Sequence, residues 1–460
     1  MMESFAFEHK YIAVFGLGKS GLATAERLSA GNAHVFVWDD NQSRRDLASS
    51  KGLELMDLIS EAWPVTDALI LSPGVPLTHP TPHPVVSIAL NAGAEIVGDI
   101  EVFLKEKQAG RVVGVTGTNG KSTTSALIDH LLSSAGRAVA LGGNIGTPVM
   151  DLPQLPNDGI YVLELSSYQL DLTPSWKADI AILLNITPDH LDRHGDMAGY
   201  AAVKCRIFQN QSEAGVAIVD ADDLICAAIN SELKQHSKAK IVPISVKRPV
   251  EGGVYVIDGL LSDLSIGDQS WTIDISDIAS LRGRHNWQNA AAAVAAVSHL
   301  GLTPDQIEVG LRSFGGLAHR MENVGSLDQV TFVNDSKATN AEAAEKALTS
   351  FNDIFWIAGG RQKVGGIKQL SPHFDRIREA FLIGEAAESF ATELDGKVGY
   401  SICKDLDEAT KAAAHAARNL PSESIVLLSP AAASFDQFDS FEARGDAFRN
   451  VVNDLIKGDK

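Results

Sequence analysis

The stretch VVGVTGTNGKSTT, at residues 112–124, has the residue types of a phosphate-binding loop. The common form of that loop is G-x-x-x-x-G-K-[ST], in which backbone N–H groups surround the phosphates. Here the first glycine is out of place, because the residue five positions before Gly120 is Val115. The stretch is therefore a damaged loop, a chance match or a nucleotide site of another kind.

The context of the stretch favours phosphate binding over an innocent turn. Residues 112–115 are an apolar strand-like run, and a helical pattern starts at Ser122. Lys121 would reach the β- and γ-phosphates of a nucleotide, and the Ser122 hydroxyl would hold Mg²⁺. A lysine at a helix N-terminus is otherwise unfavourable, because its charge opposes the helix dipole.

Further polar residues follow the next apolar runs. Glu164 ends IYVLE, where a metal-holding carboxylate belongs beside a phosphate loop. The run AILLNITPDHLDRHGD ends in four polar groups that could bind a metal or orient phosphate; they are Asp189, His190, Asp192 and His194. Lys204 lies in YAAVKCRIF, where spacing alone predicts a surface lysine.

A second glycine motif, GLGKSG, follows the strand-like run YIAVF. Gly16, Gly18 and Gly21 give the spacing G-x-G-x-x-G, and Asp39 lies 18 residues beyond Gly21. Glycines at this spacing let a diphosphate approach the backbone, and the acid is near the position that holds a ribose. The spacing is compatible with an NAD or FAD enzyme, with a UDP-sugar site, or with a tight turn that binds nothing.

The elements that must position these residues are those of an α/β protein. Short apolar runs without polar alternation recur along the chain and predict parallel strands covered on both faces. Boundaries near residues 105–111 and 315–318 divide the chain into three predicted domains, 1–108, 109–316 and 317–460. Within residues 241–275, the runs IVPISV, GVYVI and SWTIDI predict a small antiparallel patch. The alanine-rich residues 290–297 predict a packed helix.

Composition excludes several classes of function. The 460 residues carry 39 basic and 58 acidic side chains, a formal charge of −19 that disfavours nucleic acid partners. The first residues lack the pattern of a secretory signal, and no apolar run is long enough to predict a membrane span. Three widely spaced cysteines predict a reducing compartment, the cytoplasm.

The motifs occur in one order that resembles the Mur ligase family of cell-wall peptide synthetases. They are TGTNGKST, ELSSYQL, NITPDHLDRHG, GRHNWQNAAAA, HRME, NDSKATN and SPAAASFDQF. TGTNGKST alone is shared with folylpolyglutamate synthetases, whereas NDSKATN and SPAAASFDQF are similar to the members that add D-glutamate. The resemblance implies a Rossmann-like N-terminal domain for the UDP part, a central P-loop-type domain for ATP and a Rossmann-like C-terminal domain for the amino acid.

The implied activity is an ATP-dependent amide ligase that adds D-glutamate to UDP-N-acetylmuramoyl-L-alanine in peptidoglycan precursor synthesis. The alanyl carboxylate would attack the γ-phosphate of ATP, and the amine of D-glutamate would attack the resulting acyl phosphate. The resemblance also implies two Mg²⁺ sites, a carbamylated lysine at Lys204 and a cytoplasmic monomer.

The resemblance assigns roles to residues in four groups. The catalytic residues are Lys121, His190, Lys204 and Lys337. The metal ligands are Ser122, Glu164, His190 and Lys204. The ATP-binding residues are Gly117, Thr118, Asn119, Gly120, Lys121, Ser122, Thr123, Asn286, Asn289, Arg320 and Asp335. The substrate-binding residues are Gly16, Gly18, Lys19, Ser20, Asp39, Asp40, Asn41, Ser72, Gly74, Asn144, Thr339, Lys363, Ser434 and Phe441.

Two segments depart from the family pattern. Asp39-Asp40-Asn41 stands where Asp-Thr-Arg is frequent, so an arginine that could stack on uracil is missing there. This chain has AGGRQK where the sequence glycine-aspartate-glycine-lysine is more common in the family, and the lysine is retained. A nicotinamide oxidoreductase built on GLGKSG and a protein that senses ATP without chemistry are the alternatives from other classes, and neither accounts for all the motifs.

Overall fold

A computed structural model describes residues 6–106, 109–267, 270–362 and 365–458. Within these ranges the chain forms three β-sheets with helices between the strands, so the predicted α/β class is confirmed. Internal contacts divide the chain into two compact units, Met1–Phe314 and Gly315–Lys460. The first unit contains two of the sheets, and the second unit contains the third.

The first sheet is parallel and has the order β3-β2-β1-β4-β5. Its strands are β1 (Tyr11–Phe15), β2 (His34–Trp38), β3 (Glu54–Leu55), β4 (Ala68–Leu71) and β5 (Glu95–Val97). Its helices are α1 (Lys19–Ala30), α2 (Gln42–Ser50), α3 (Pro84–Ala92) and α4 (Asp99–Glu106). Every residue of β4 is buried, as expected where helices cover both faces of a parallel sheet.

The second sheet has nine strands in the order β14-β13-β12-β11-β10-β9-β6-β8-β7. They are β6 (Arg111–Thr116), β7 (Val139–Gly143), β8 (Ile160–Glu164), β9 (Ile180–Leu183), β10 (Val216–Asp220), β11 (Lys240–Ser245), β12 (Val254–Ile257), β13 (Leu260–Asp263) and β14 (Trp271–Asp274). Its helices are α5 (Lys121–Ser134), α6 (Ser167–Asp171), α7 (Leu191–His194), α8 (Met197–Cys205), α9 (Leu224–His236), α10 (Arg284–His299) and α11 (Pro304–Ser313). The predicted packed helix at residues 290–297 is confirmed, because this part of α10 is fully buried.

The antiparallel patch is smaller than predicted. Strands β12, β13 and β14 pair antiparallel, but β11, which contains most of IVPISV, pairs parallel with both β10 and β12. The prediction was wrong for β11 because a short run of Ile and Val has no sequence feature that sets its direction. Four successive buried residues place β11 inside the main sheet.

One continuous apolar core joins the first two sheets. Phe103 on α4 packs edge-on against Tyr161 of β8, with the ring centroids 5.1 Å apart. The Gly98 N–H, after β5, donates to the Leu172 carbonyl, which follows α6, at 2.8 Å. The ends of the first sheet's strands are therefore held in place against the second sheet.

The third sheet has the order β15-β16-β20-β17-β18-β19, and β15 is its antiparallel strand. The strands are β15 (Glu322–Leu327), β16 (Val330–Asn334), β17 (Ile354–Gly359), β18 (Ile377–Ile383), β19 (Gly399–Ile402) and β20 (Ser424–Leu428). The helices are α12 (Ala341–Ser350), α13 (Ala387–Leu394), α14 (Leu406–Arg418) and α15 (Phe441–Gly458). In the described part of the chain, no helix has both the length and the apolar character needed to cross a membrane.

Candidate active site

A cleft of about 380 Å³ lies in the first compact unit, where loops of the first sheet face the carboxyl ends of β6, β7 and β8. Open α/β sheets bind ligands at this end of their strands. The cleft brings together six predicted site residues from distant parts of the sequence. They are Ser20, Gly74, Lys121, Asn144, His190 and Lys204.

The glycine loop connects β6 to α5, as predicted. Gly120 is in the left-handed region at φ 85°, and a Cβ there would collide with the Asn289 side-chain oxygen. The Lys121 ammonium donates to the carbonyls of Gly117 and Thr118, at 2.8 Å each. The loop is therefore a closed turn that carries a cation at its rim, as a phosphate site requires.

Residues around this loop hold its shape. Asn289 is only 3% exposed, and its side-chain oxygen accepts from the Thr124 hydroxyl at 3.3 Å. Its Nδ2 donates to the Asn286 side chain at 3.3 Å. The Asn119 N–H donates to the Asn185 side chain at 2.8 Å, a contact that the sequence motifs did not identify. Ser122 is buried, and Thr123 is partly buried.

Glu164, at the end of β8, has an unsatisfied carboxylate oxygen. The side chain is 2% exposed, and its Oε1 accepts from the Asn144 amide at 2.7 Å. Its Oε2 has no hydrogen-bond donor among the described residues. A buried acceptor without a partner is costly, so a cation at this position would satisfy the chemistry of the site.

Lys204 is buried, and the spacing-based prediction of a surface lysine is wrong. Only 1% of the residue is exposed, and its ammonium donates to the Gly117 carbonyl at 2.9 Å. Burial, followed by repulsion from Lys121, lowers the pKa of Lys204 to about 7. The sequence could not show this, because the packing of α8 against α6 and α7 and the contact of Lys204 with the Gly117 carbonyl are created only by the fold.

The polar cluster after β9 divides into two parts. Asp189 and His190 line the cleft, and the His190 Nε2 lies 3.4 Å from the Asp189 carboxylate. His194 turns inward to the Ser167 hydroxyl at 2.9 Å, and burial lowers the pKa of this imidazole. Asp192 is exposed. Within the described ranges, no group of three or more His, Cys, Asp or Glu side chains forms a metal-binding cluster. The predicted metal site therefore needs the Ser122 hydroxyl and Lys204 as ligands in addition to Glu164 and His190.

In the first sheet, Asp39 supports the glycine loop from inside. It is 5% exposed, its Oδ2 accepts from the Leu17 N–H at 2.6 Å, and its Oδ1 accepts from the Asn41 N–H at 2.8 Å. Gly16 is needed because its φ is 93° and a Cβ would lie 2.5 Å from the Ser72 Cβ. The Asp39 carboxylate is therefore engaged with the backbone.

We expect Asp39→Ala to lower the free energy of unfolding of the first unit by roughly 1–3 kcal/mol, because the Leu17 N–H would lose its acceptor. Calorimetry of the purified chain measures this effect. Asp40→Ala is the matched control: that side chain is 70% exposed and lies 3.3 Å from the His83 Nε2, so its removal should change stability by less than about 0.5 kcal/mol. Equal losses for the two variants would contradict the supporting role of Asp39.

The other predicted residues of the first sheet lie around this loop. Asn41 caps α2, Ser20 donates to Asp99, and Lys19 is exposed at the start of α1. Arg45, one turn into α2, lies over the Trp38 ring at 4.5 Å and donates to the Asp40 carbonyl at 3.0 Å. An arginine is thus present beside Asp40, although the sequence position expected to carry it holds Asn41.

The remaining predicted residues belong to the second unit. Asp335, after β16, accepts from the Ser429 hydroxyl at 2.9 Å and from the Met321 N–H at 3.2 Å. Burial raises the pKa of Asp335 to about 7, against the smaller opposing effects of the hydrogen bonds from Ser429 and Met321 and of the charge of Arg320. The Lys337 ammonium lies 5.3 Å from the centroid of the Phe441 ring.

Buried Arg444, on α15, connects the loops that carry these residues. It is 1% exposed and donates to the carbonyls of Ser336, Gly359 and Ala432. These carbonyls belong to the loop after β16, the last residue of β17 and the loop after β20, so one guanidinium holds three strand ends together. None of the sequence motifs assigned a role to Arg444.

Ser434 is 2% exposed in the loop after β20, and the Thr339 N–H donates to the Lys337 carbonyl at 2.8 Å. Lys363 lies outside the described residues. The spacing of the phenylalanines in SPAAASFDQF, which is that of a helix face, predicts that Phe435 and Phe438 pack in the core. This prediction is wrong for Phe435, because 64% of it is exposed on a turn. Phe438 does pack against the core, as predicted. The helical spacing assumed for this pair is absent, since α15 begins at Phe441.

The sequence motifs contained three cleft-side residues whose roles were not predicted. Tyr168 and Tyr200 line the cleft, and the Tyr200 hydroxyl lies 3.2 Å from the Thr118 hydroxyl. Arg193 contacts the loop after β4. The available signal was their position in the quoted segments, Tyr168 in ELSSYQL, Arg193 in NITPDHLDRHG and Tyr200 in YAAVKCRIF, but these side chains acquire partners only through the fold.

Comparison with known proteins defines the class of this protein. Residues 10–98 match the family model of the Mur ligase MurD-like N-terminal domain. Residues 115–297 match the Mur ligase middle domain, and residues 319–432 match the Mur ligase glutamate ligase domain. The chain belongs to the Mur ligase family, whose members form amide bonds with ATP.

Within the family, the chain is 50% identical over 457 residues to the UDP-N-acetylmuramoylalanine--D-glutamate ligase of Caulobacter sp. (strain K31), covering 98% of this chain and 97% of that protein. Two solved structures from Thermotoga maritima share the fold. UDP-N-acetylmuramate-alanine ligase has a TM-score of 0.55 at 15% identity, covering 98% of this chain and 100% of that one. MurF ligase in complex with ADP has a TM-score of 0.51 at 18% identity, and the match covers 88% of this chain and 100% of that one.

Proposed function

We propose that this protein is an ATP-dependent ligase that joins D-glutamate to UDP-N-acetylmuramoyl-L-alanine in peptidoglycan precursor synthesis. The alanyl carboxylate attacks the γ-phosphate of ATP, which releases ADP and forms an acyl phosphate. The amine of D-glutamate then attacks the acyl carbon, phosphate leaves, and the amide bond remains. The 50% identity to a ligase of this name over nearly the whole chain supports the choice of substrates.

The observation that carries the proposal is the composition of the cleft. It joins Ser20, at the start of α1, and Gly74, in the loop after β4, to the phosphate loop at Lys121 and to the buried Lys204. In the first step two anions must approach each other, so the main task is to neutralise charge. Lys121 is the cation placed to do this at the phosphate loop.

The residues present fit a magnesium site. The Glu164 side chain offers a buried oxygen that has no hydrogen-bond partner among the described residues. Ser122 and His190 offer further candidate metal ligands. A bound Mg²⁺ neutralises phosphate charge and orients phosphate oxygens. We propose that Lys204 becomes carbamylated, because a carbamate converts its buried amine into an anionic oxygen ligand. Two Mg²⁺ sites, sharing these ligands, are part of the proposal.

We assign recognition of D-glutamate to Lys337, Thr339, Lys363, Ser434 and Phe441. A dicarboxylate needs cations and hydroxyl donors, which this set contains. We assign adenosine and phosphate contacts to Asn286, Asn289, Arg320 and Asp335. The UDP substrate would then bind to residues 1–108, ATP to residues 109–316 and the amino acid to residues 317–460. We place the protein in the cytoplasm as a monomer, in keeping with its three free thiols.

The dinucleotide alternative is weaker than this proposal. It leaves the phosphate loop at Lys121 without a role and does not account for the match to the Mur ligase middle domain. A folylpolyglutamate synthetase would not account for the match to the MurD-like N-terminal domain.

An ADP-release assay over a panel of amino acids tests the proposed function. With ATP, Mg²⁺ and UDP-N-acetylmuramoyl-L-alanine, we expect rapid ADP release with D-glutamate and at least about a hundredfold less with L-glutamate, L-lysine or meso-diaminopimelate. Omission of the UDP substrate is the control and should abolish release. Release driven by L-lysine or meso-diaminopimelate would move the protein to another branch of the family.

A further inference from the structure

Arg193 connects the two sides of the cleft. It lies on α7, three residues after His190, and its guanidinium donates to three successive carbonyls of the first sheet's loop. The acceptors are Pro73 at 3.4 Å, Gly74 at 3.0 Å and Val75 at 2.9 Å. Pro73 and Gly74 line the cleft opposite His190.

The same guanidinium also lies over the Tyr168 ring, 4.5 Å from its centroid. The Tyr168 ring in turn contacts His190, with centroids 5.0 Å apart. A planar guanidinium can lie over a ring and present five N–H donors in a fixed fork, whereas a lysine ammonium offers three donors on a single nitrogen. Arginine is therefore better suited than lysine to reach three successive carbonyls from above the Tyr168 ring.

We propose that Arg193 is a positioning residue that sets the distance between the substrate-facing loop, residues 73–75, and the His190 side of the cleft. The inference rests on the proposed function for the identity of the ligand. When Arg193 holds the loop, the loop backbone and Tyr168 keep one spacing across the cleft. Without it, three carbonyls lose their donor and the loop is free to move away from the phosphate-binding side.

If Arg193 only stabilised the fold, its loss would have the same effects as the loss of another arginine that joins the two sheets. Arg27 on α1 provides the comparison, because it also joins the two sheets, through Asp151 at 2.9 Å, but does not line the cleft. Loss of either arginine removes a contact between the sheets. Only loss of Arg193 should change the cleft.

Hydrogen exchange of the peptide that contains residues 72–77 tests the positioning directly, without any ligand. In Arg193→Ala we expect its amides to exchange about tenfold faster than in the wild type, because the loop, released from Arg193 at three carbonyls, opens more often and exposes the hydrogen-bonded Ser72 and Val75 N–H groups. In Arg27→Ala it should be unchanged. Equal exchange in Arg193→Ala and the wild type would overturn the inference, whatever the protein's substrate is.

Binding measurements in the same variants test the consequence. By calorimetry, the Kd for UDP-N-acetylmuramoyl-L-alanine should rise about tenfold in Arg193→Ala and about threefold in Arg193→Lys, while the Kd for ADP changes less than about twofold. An equal loss of both ligands would show a merely structural role. If the wild type itself fails to bind the UDP compound, the proposed function fails, and the exchange result still decides the role of Arg193.

Discussion

Lys121→Ala should reduce the rate of ADP formation by about a hundredfold to a thousandfold. The lysine is the cation at the rim of the phosphate loop, and charge developing on the transferred phosphoryl group would lose its nearest neutralising partner. The loss should fall mainly on kcat, because the loop's backbone N–H groups remain available to hold ATP. Steady-state kinetics with saturating D-glutamate measure the effect.

Lys51→Ala is the control for this prediction. Lys51 is an exposed lysine on the first unit that pairs with Glu26 at 2.6 Å, and its loss should leave the rate within about twofold of the wild type. Near-normal turnover in Lys121→Ala, with the melting temperature unchanged, would show that the glycine loop does not bind the reacting phosphates.

Lys204→Ala should also reduce the rate by about a hundredfold or more, since it removes a proposed metal ligand. Acetate or formate in the assay should partly restore the activity, because a small carboxylate can occupy the space of the carbamate. Lys177→Ala, which alters an exposed lysine, should change the rate by less than about twofold and should show no response to acetate. Full activity of Lys204→Ala without added carboxylate would exclude the carbamate.

The proposed carbamate gives this prediction a pH dependence. Carbon dioxide reacts with the neutral amine, and the pKa of Lys204 is lowered to about 7, first by burial and then by Lys121. Above pH 7 the amine is neutral and accepts carbon dioxide, whereas below pH 7 it is protonated and does not. Labelling with ¹³C-bicarbonate should therefore give a carbamate NMR signal that weakens as the pH falls through about 7 and is absent in Lys204→Ala.

The sequence predicted most of the strands that carry the site, because each has an unbroken apolar run. It did not predict β3, β5, β7, β10, β13, β15 or β19, and it placed β11 in the antiparallel patch. The error for β11 arises because strand direction depends on neighbours that lie far away in sequence. Pairing of β11 with β10 and β12 decides the direction, and no local pattern encodes it.

The site residues likewise divide into those that local sequence identifies and those whose role depends on distant parts of the chain. The phosphate loop could be identified from sequence because its glycines and lysine act through the local backbone. Lys204 and Asp39 were assigned from spacing and resemblance, but burial decides what each can do. Lys204 is buried against the phosphate loop, where it donates to the Gly117 carbonyl, and the Asp39 carboxylate accepts from the Leu17 N–H. The role of Arg193 depends on carbonyls about 120 residues earlier in the chain, a contact that only the fold creates.

During synthesis, the first sheet leaves the ribosome before the surface that covers it has been made. The apolar side of α4, including Phe103, is buried against Tyr161, and the Gly98 N–H is bonded to the Leu172 carbonyl. Until these later residues emerge, the nascent N-terminal segment exposes apolar surface, to which chaperones or other chains can bind. The end of the first sheet therefore marks a change of sheet along the chain but not the completion of a folding unit.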